Sequence, residues 1–298
     1  MNKIEKAIIK TLAFFEIFSR PLTLEELWHF LYKCQTSKLQ VLMGLRSLQR
    51  KKIIVKKDSY FLFSDNKKAL TTFLNQKDIC QKRFEKVRKT VKFLRYAPFV
   101  KNVSIINSLA FKASNINSDI DIFIVASKNH LWSCRAFVIT ILEILGQNKN
   151  KWYKADKFCL GFAVDEEKLD LADLCFKDDI YFTYWLATLH PVFDRKIYQK
   201  LIAQNSWIFN SLPNWQAKNI SITKEKKTKL EKILSGNFGK RLEEFLSNLQ
   251  IKKIQNEKEN NRPGASVIAN SQIMKLHAYD KRESYRNLWQ ERLKELKI

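Results

Sequence analysis

The apolar residues Ile4, Ile8, Leu12, Phe15 and Phe18 recur every three or four positions, which predicts a helix over residues 4–18 with one buried face. Arg20 precedes Pro21, and the residue before a proline avoids the helical region, so that helix ends there. Thr23 with Glu26 three positions later is a capping-box pattern and opens a second helix over 24–32. Residues 37–51 give a third, with Leu39, Leu42, Leu45 and Leu48 inward and Lys38, Arg46 and Arg50 outward. The period then changes: apolar runs at 53–55 and 60–63 flank Lys56-Lys57-Asp58-Ser59, a hairpin with basic residues at its turn.

Residues 75–95 return to helical spacing, with Ile79, Phe84, Val87, Val91 and Leu94 inward, and lead to Pro98. Short apolar strands are then predicted at 103–106, 119–126 and 158–164, separated by a turn or short helix from Leu109 to Lys112, a polar loop at 115–118 and a helix over 131–146. Strands alternating with helices make this an α/β (α+β) core. Residues 179–193 are strongly aromatic and fit a helix covering that sheet, while Trp207, Phe209 and Trp215 around Pro213 fit a packed connector. Beyond them a helical stretch over 224–258, interrupted at Gly236 and Gly239, a polar break at 256–264 and an amphipathic helix over 285–296 predict a helical C-terminal region. Four parts follow: 1–66, a linker helix at 67–98, the core at 99–217, and 218–298.

With 45% apolar and 12% aromatic residues and only 6 Gly and 5 Pro in 298, the chain lies outside the disordered and collagen-like classes. No run of about 18 uncharged apolar residues occurs, since the nearest candidate, 131–145, contains Arg135 and Glu143. Residues 1–10 interleave charged and apolar positions, unlike a secretory signal. The five cysteines are odd in number and form no CxxC pair, which argues against a disulfide framework and a structural zinc site and suits a reducing cytoplasm.

Charge sharpens the division into parts. The formal excess is +24, yet residues 1–100 hold 22 basic and 8 acidic side chains, 101–217 hold 13 and 12, and 218–298 hold 19 and 10. The basic ends suggest nucleic acid as a partner for the N-terminal domain and the C-terminal tail, through a sequence-independent attraction to phosphate. Three helices followed by a two-stranded hairpin in residues 1–66 resemble a winged-helix domain, and that resemblance implies contact through the third helix and the hairpin around Lys56 and Lys57.

The nearly neutral middle carries the candidate chemistry. Asp119 and Asp121 alternate with apolar residues at the start of a strand, so both project from one face a few ångströms apart. Adjacent carboxylates repel, and a divalent cation relieves that repulsion. Mg²⁺ (or Mn²⁺) suits oxygen ligands of this kind, completed by substrate phosphates. Asn107 and Ser108 follow the strand at 103–106, where turn amides and a helix start can hold phosphate, and Ser118 can bond the loop that precedes Asp119.

These residues, VSIINSLAF at 103–111 followed by SDIDIFIV at 118–125, resemble the signature of the polymerase-beta-like nucleotidyltransferase superfamily: a strand, a Gly-Ser turn, a short helix, and Asp-x-Asp on the next strand. The resemblance implies a nucleotidyltransferase-fold core with a mixed sheet. It also implies metal ligation by Asp119 and Asp121, phosphate binding at Asn107, Ser108 and Ser118, and Mg²⁺-dependent transfer of a nucleotide from a nucleoside triphosphate to an acceptor. Two features depart from the family pattern. Asn107 replaces the glycine of the turn, although Asn tolerates the left-handed region. The strand at 158–164 carries no acid, so the third carboxylate falls to a flanking residue, Asp156 or Asp165, with Asp165 the candidate third ligand. The same departures support an alternative, a catalytically silent relative that serves as a nucleic-acid-binding regulator or adaptor.

Overall fold

Polar caps set the first helices. Asn2, Thr23 and Ser37 each accept a hydrogen bond from the backbone N–H three residues on, and Glu5, Glu26 and Gln40 each return one, so α1 (Lys3–Glu16), α2 (Leu24–His29) and α3 (Lys38–Arg50) begin with capping boxes. The computed structural model, which describes residues 1–150, 152–220 and 229–298, packs these three helices together. The buried stripe of α3 is Val41, Gly44, Leu45 and Leu48, so Leu39, expected inward, is exposed. Gly44 explains the offset: a Cβ there would lie 2.8 Å from the Ile8 side chain, and its absence lets α1 approach closely.

A two-residue turn at Asp58-Ser59, with Asp58 at φ +52°, joins two of three short antiparallel strands. These are β1 (Leu22–Thr23), β2 (Ile54–Lys57) and β3 (Tyr60–Phe63), in the order β1-β3-β2. Lys56 and Lys57 therefore lie in β2 rather than in the turn, both exposed. The linker helix α4 (Lys68–Leu94) starts seven residues before its expected position, because Leu70 and Phe73 pack on Leu62 of the hairpin.

A mixed six-stranded sheet forms the centre: β4 (Val100–Ile105), β5 (Ile120–Ala126), β6 (Phe158–Asp165), β7 (His190–Asp194), β8 (Ser266–Ala269) and β9 (Ile273–His277), in the order β7-β4-β5-β6-β9-β8. Only β5 and β6 run parallel, joined by the crossover helix α6 (Leu131–Ile144); every other pair is antiparallel. A four-residue helix, α5 (Asn107–Ala110), links β4 to the loop before β5.

The aromatic segment at 179–193 is not one helix. It divides into α7 (Ile180–Thr188) and edge strand β7, because Pro191 cannot continue a helix. α7 is apolar all round and is buried on both sides. Trp185 packs on Phe123 and Phe162 of the sheet, while Tyr184 stacks on Phe14 of α1 at 4.3 Å and donates to the Phe30 carbonyl. The connector holds α8 (Tyr198–Gln204) and α9 (Ile208–Ser211), with the Trp215 indole donating to the Ala187 carbonyl.

The C-terminal region departs from the wholly helical one expected, because it supplies two strands of the central sheet. α10 (Lys229–Ile233) and α11 (Asn237–Asn256) precede them, and the expected helix over 224–228 lies outside the described residues. Gly236 breaks the stretch as expected. Gly239 lies inside α11, where a Cβ would meet the Leu234 carbonyl at 1.7 Å. The final helix α12 (Arg282–Glu295) returns to the N-terminus. There the Trp289 indole donates to the Lys10 carbonyl, and Arg292 pairs with Glu16 and Asp65. No helix among the described residues is long and apolar enough to cross a membrane.

Candidate functional site

β5 enters the sheet through the loop at 115–118, which α4 holds from the side. Arg83, 4% exposed, donates to the Ser114 hydroxyl and to the carbonyls of Asn115 (2.6 Å) and Ile116 (3.2 Å). Ser118 accepts the Asn115 N–H at 3.0 Å through its hydroxyl, so this residue shapes the loop from within. The first residues of β5 are thereby fixed, and Asp119 and Asp121 share one face as strand alternation requires.

Asp121 stands opposite Cys159 in the parallel register of β5 and β6. A carboxylate oxygen from each of Asp119 and Asp121 and the Cys159 sulfur all lie within 4.8 Å of one another. The third member of the cluster is thus a thiol in the strand, where an acid was sought. Asp165 is not part of it. It sits at the other end of β6, opposite Ala126 and six residues from Cys159, about 20 Å along the strand. There its carboxylate accepts the N–H groups of Glu167, Lys168 and Asn129 at 2.9, 3.2 and 3.4 Å. Asp156, the other flanking acid, is exposed and pairs with Arg83 and Lys86.

Lys149, on the segment between α6 and β6, reaches into the cluster. Its ammonium pairs with Asp119 and lies 3.6 Å from the Cys159 sulfur. Even so, burial and the neighbouring Asp119 charge raise the Asp121 carboxyl to about 6, against the partial relief given by Asn107 and Lys149. Burial and the Asp121 charge push the Cys159 thiol up to about 12. These shifts describe negative charge held close together in a low-dielectric setting, an arrangement that a divalent cation relieves, so the residues present fit such an ion.

Asn107 adopts φ +55°, a left-handed conformation that Asn tolerates better than most residues. Its side chain offsets part of the rise at the Asp121 carboxyl and accepts the Tyr181 hydroxyl at 3.2 Å. Tyr181 in turn stacks on Tyr285 of α12 at 5.0 Å. The turn and the carboxylates are therefore joined by a chain of contacts that ends in the C-terminal helix. The backbone agrees, since Ile106 N–H donates to the Asp121 carbonyl at 3.1 Å. Ser108 follows Asn107 in the first turn of α5, where helix amides lack partners within the helix. Lys112 is turned away: it pairs with Glu26 of α2 at 2.9 Å.

Sequence reasoning missed Lys149, Cys159, Tyr181 and Arg83. For Cys159 a signal existed, since a residue near the start of the next strand in a parallel pair faces the second Asp. Lys149 lies in an irregular segment, and nothing in the pattern points it toward Asp119.

Comparison of the chain with protein-family models, with curated proteins and with solved structures returns no match.

Proposed function

We propose that the chain is a nucleotidyltransferase-like protein that binds a nucleoside triphosphate with Mg²⁺ or Mn²⁺ and transfers its nucleotide to an acceptor, on a nucleotidyltransferase-type sheet preceded by a winged-helix-type module. One observation carries this reading: the Asn107-Ser108 turn and the Asp119–Asp121 pair, separated by ten residues in sequence, are brought together where the Ile106 N–H donates to the Asp121 carbonyl at 3.1 Å. Asp119 and Asp121 would hold the metal, which when bound would supply charge neutralisation to the phosphates and to the leaving group. The protein's own part is positional. Arg83 fixes the loop that aims the carboxylates, Tyr181 orients Asn107, and the left-handed Asn107 bends the backbone at the turn where a phosphate would be held.

The test is incubation with labelled nucleoside triphosphates and Mg²⁺ or Mn²⁺ in the presence of RNA, protein and small-molecule acceptors. Transfer is expected, with a loss of at least about 100-fold in the Asp119→Ala, Asp121→Ala double variant. Transfer that persists unchanged in that variant refutes the reading.

A second reading rests on Lys149 and Cys159. A lysine paired with Asp119 and a thiol at the third position describe a site whose charge is partly neutralised internally, as in a silent, ligand-sensing relative. Its partner would be nucleic acid, met by Arg46 and Arg50 on the outer face of α3 and by Lys56 and Lys57 on β2, all exposed. Nucleotide binding without turnover in every acceptor assay supports this second reading over the first.

A further inference from the structure

Beyond the C-terminal end of α5, a cleft follows the junction between the N-terminal helices and the sheet. It consists of two adjoining cavities of about 420 and 250 Å³, with Lys112 in the wall of both. The larger is lined by the rings of Tyr60, Phe73 and Phe84, with Lys77 and Arg88 on the exposed side of α4. The smaller is lined by Arg20, Phe30 and Lys218. His190 connects them, since its ring meets Phe84 edge-on at 5.1 Å and its Nδ1 lies 2.9 Å from the Lys218 ammonium.

The charges of this cleft are unequally matched. Glu26 pairs with both Arg20 and Lys112, and Glu25 pairs with Lys38. Glu85, also in the wall, bonds Gln81. That leaves Lys77, Arg88 and Lys218 with no ion pair among the described residues. Among the described residues the Lys218 ammonium meets the neutral Leu189 carbonyl and the His190 ring. Burial, Lys112 and Arg20 lower its ammonium to about 8, and burial, Lys218, Arg88 and Lys112 lower His190 to about 4. The cations repel one another across the cleft, and an anion between them removes that cost.

We propose that this cleft binds single-stranded nucleic acid, with a base against Tyr60 and Phe84 and the adjoining phosphates at Lys77, Arg88 and Lys218. Aromatic rings beside unpaired cations match the two invariant parts of a single strand, a base with a π-face and a charged backbone. An acidic peptide satisfies the cations and leaves the rings unused. A duplex keeps its bases stacked inside and cannot present one to Tyr60. The cleft requires neither metal nor the carboxylates, so it stands apart from the reading of Asp119 and Asp121.

The experiment is fluorescence anisotropy of the full chain with a labelled oligouridine of about eight nucleotides, a hairpin duplex of the same composition and a polyglutamate peptide, across a series of salt concentrations with no divalent ion. The single strand is expected to bind tightest at low salt. Lys77→Glu with Arg88→Glu, two exposed positions on α4, weakens it at least about 10-fold and lowers the salt slope by about 2. Phe84→Leu weakens it about 10-fold and leaves the salt slope unchanged, the mark of lost stacking rather than lost charge. Circular dichroism confirms that each variant folds. The proposal is overturned if the single strand does not bind at low salt, if duplex or polyglutamate binds as tightly, or if neither the α4 variant nor Phe84→Leu weakens binding.

Discussion

At one end of the parallel pair β5–β6, Asp119 and Asp121 stand beside a thiol and a lysine; at the other end, Asp165 closes β6 and accepts three backbone N–H groups. One end places a half-buried carboxyl and the other a fully buried one on the same two strands, and burial raises the pKa of both Asp121 and Asp165. The difference lies in what answers the charge. Around Asp165 the answer is local and built into the chain, since the turn amides of Glu167 and Lys168 are bonded to the carboxylate that they lower in energy. The next acids are also engaged, Glu166 with the Lys128 N–H and Glu167 with the Lys128 ammonium. Around Asp121 a second acid increases the repulsion, and the only cation reaching the pair among the described residues is Lys149. One end stabilises the turn; the other keeps a charge arrangement that folding alone does not favour, which is the usual signature of a site that acts on something else.

This contrast predicts substitutions of opposite sign. Asp165→Ala leaves the Glu167, Lys168 and Asn129 amides without their acceptor in a partly exposed turn, so stability falls by about 2 kcal/mol. Thermal or urea unfolding at neutral pH measures the loss, and a change near zero would mean that water replaces the carboxylate and that the two ends differ less than their hydrogen bonds indicate.

Asp121→Asn moves stability the other way. The Asp121 carboxyl ionises near pH 6 in the folded protein against 3.8 in the unfolded chain, so the folded state holds its proton more tightly, and the wild type loses stability as pH rises from about 4 to about 6. The amide carries no such penalty. At pH 7.5 the variant gains about 1.5 kcal/mol over the wild type, because partial exposure trims the full cost of the shift. Below pH 4 the gain disappears. Unfolding curves at the two pH values check both the sign and the window, and a variant less stable than the wild type at pH 7.5 would remove the contrast between the two ends.

The sequence disclosed the Asp119–Asp121 end and misassigned the other for one physical reason. Period-two alternation is local, so two acids at i and i+2 declare a shared face without reference to any neighbour. A third ligand depends on which residue of another strand stands opposite, and that is set by register. Asp165 was chosen by composition, as the nearest acid to an acid-free strand, whereas the parallel pairing puts Cys159 opposite Asp121. The same limit hid strands β8 and β9. Their residues are only half-buried outside Ile273, Met274 and Lys275, so no clean alternation marks them, and it is β6 that gives β9 a partner. The N-terminal helices were legible because their signals are local: the capping box at Thr23 and stripes at three- and four-residue spacing. Even there Leu39 faced outward, since the approach of α1 at Gly44 turned the stripe toward Val41.

Lys149 decides how far the two ends differ in kind. If its ammonium competes with a divalent ion for Asp119, the carboxylate end is a metal site held partly closed by its own chain. If it instead completes a permanent ion pair, both ends are structural and only their partners differ. Lys149→Met removes the ammonium and keeps a side chain of similar length beside Cys159. Competition predicts that Mn²⁺, followed by calorimetry at pH 7.5, binds the variant about 5-fold more tightly than the wild type, equivalent to about 1 kcal/mol. It also predicts a small loss of stability in the absence of metal, which added Mn²⁺ restores by mass action. A permanent ion pair predicts the loss without the restoration: destabilised protein, no Mn²⁺ binding, and an Asp119 that behaves like Asp165, as a carboxylate whose partner the fold supplies.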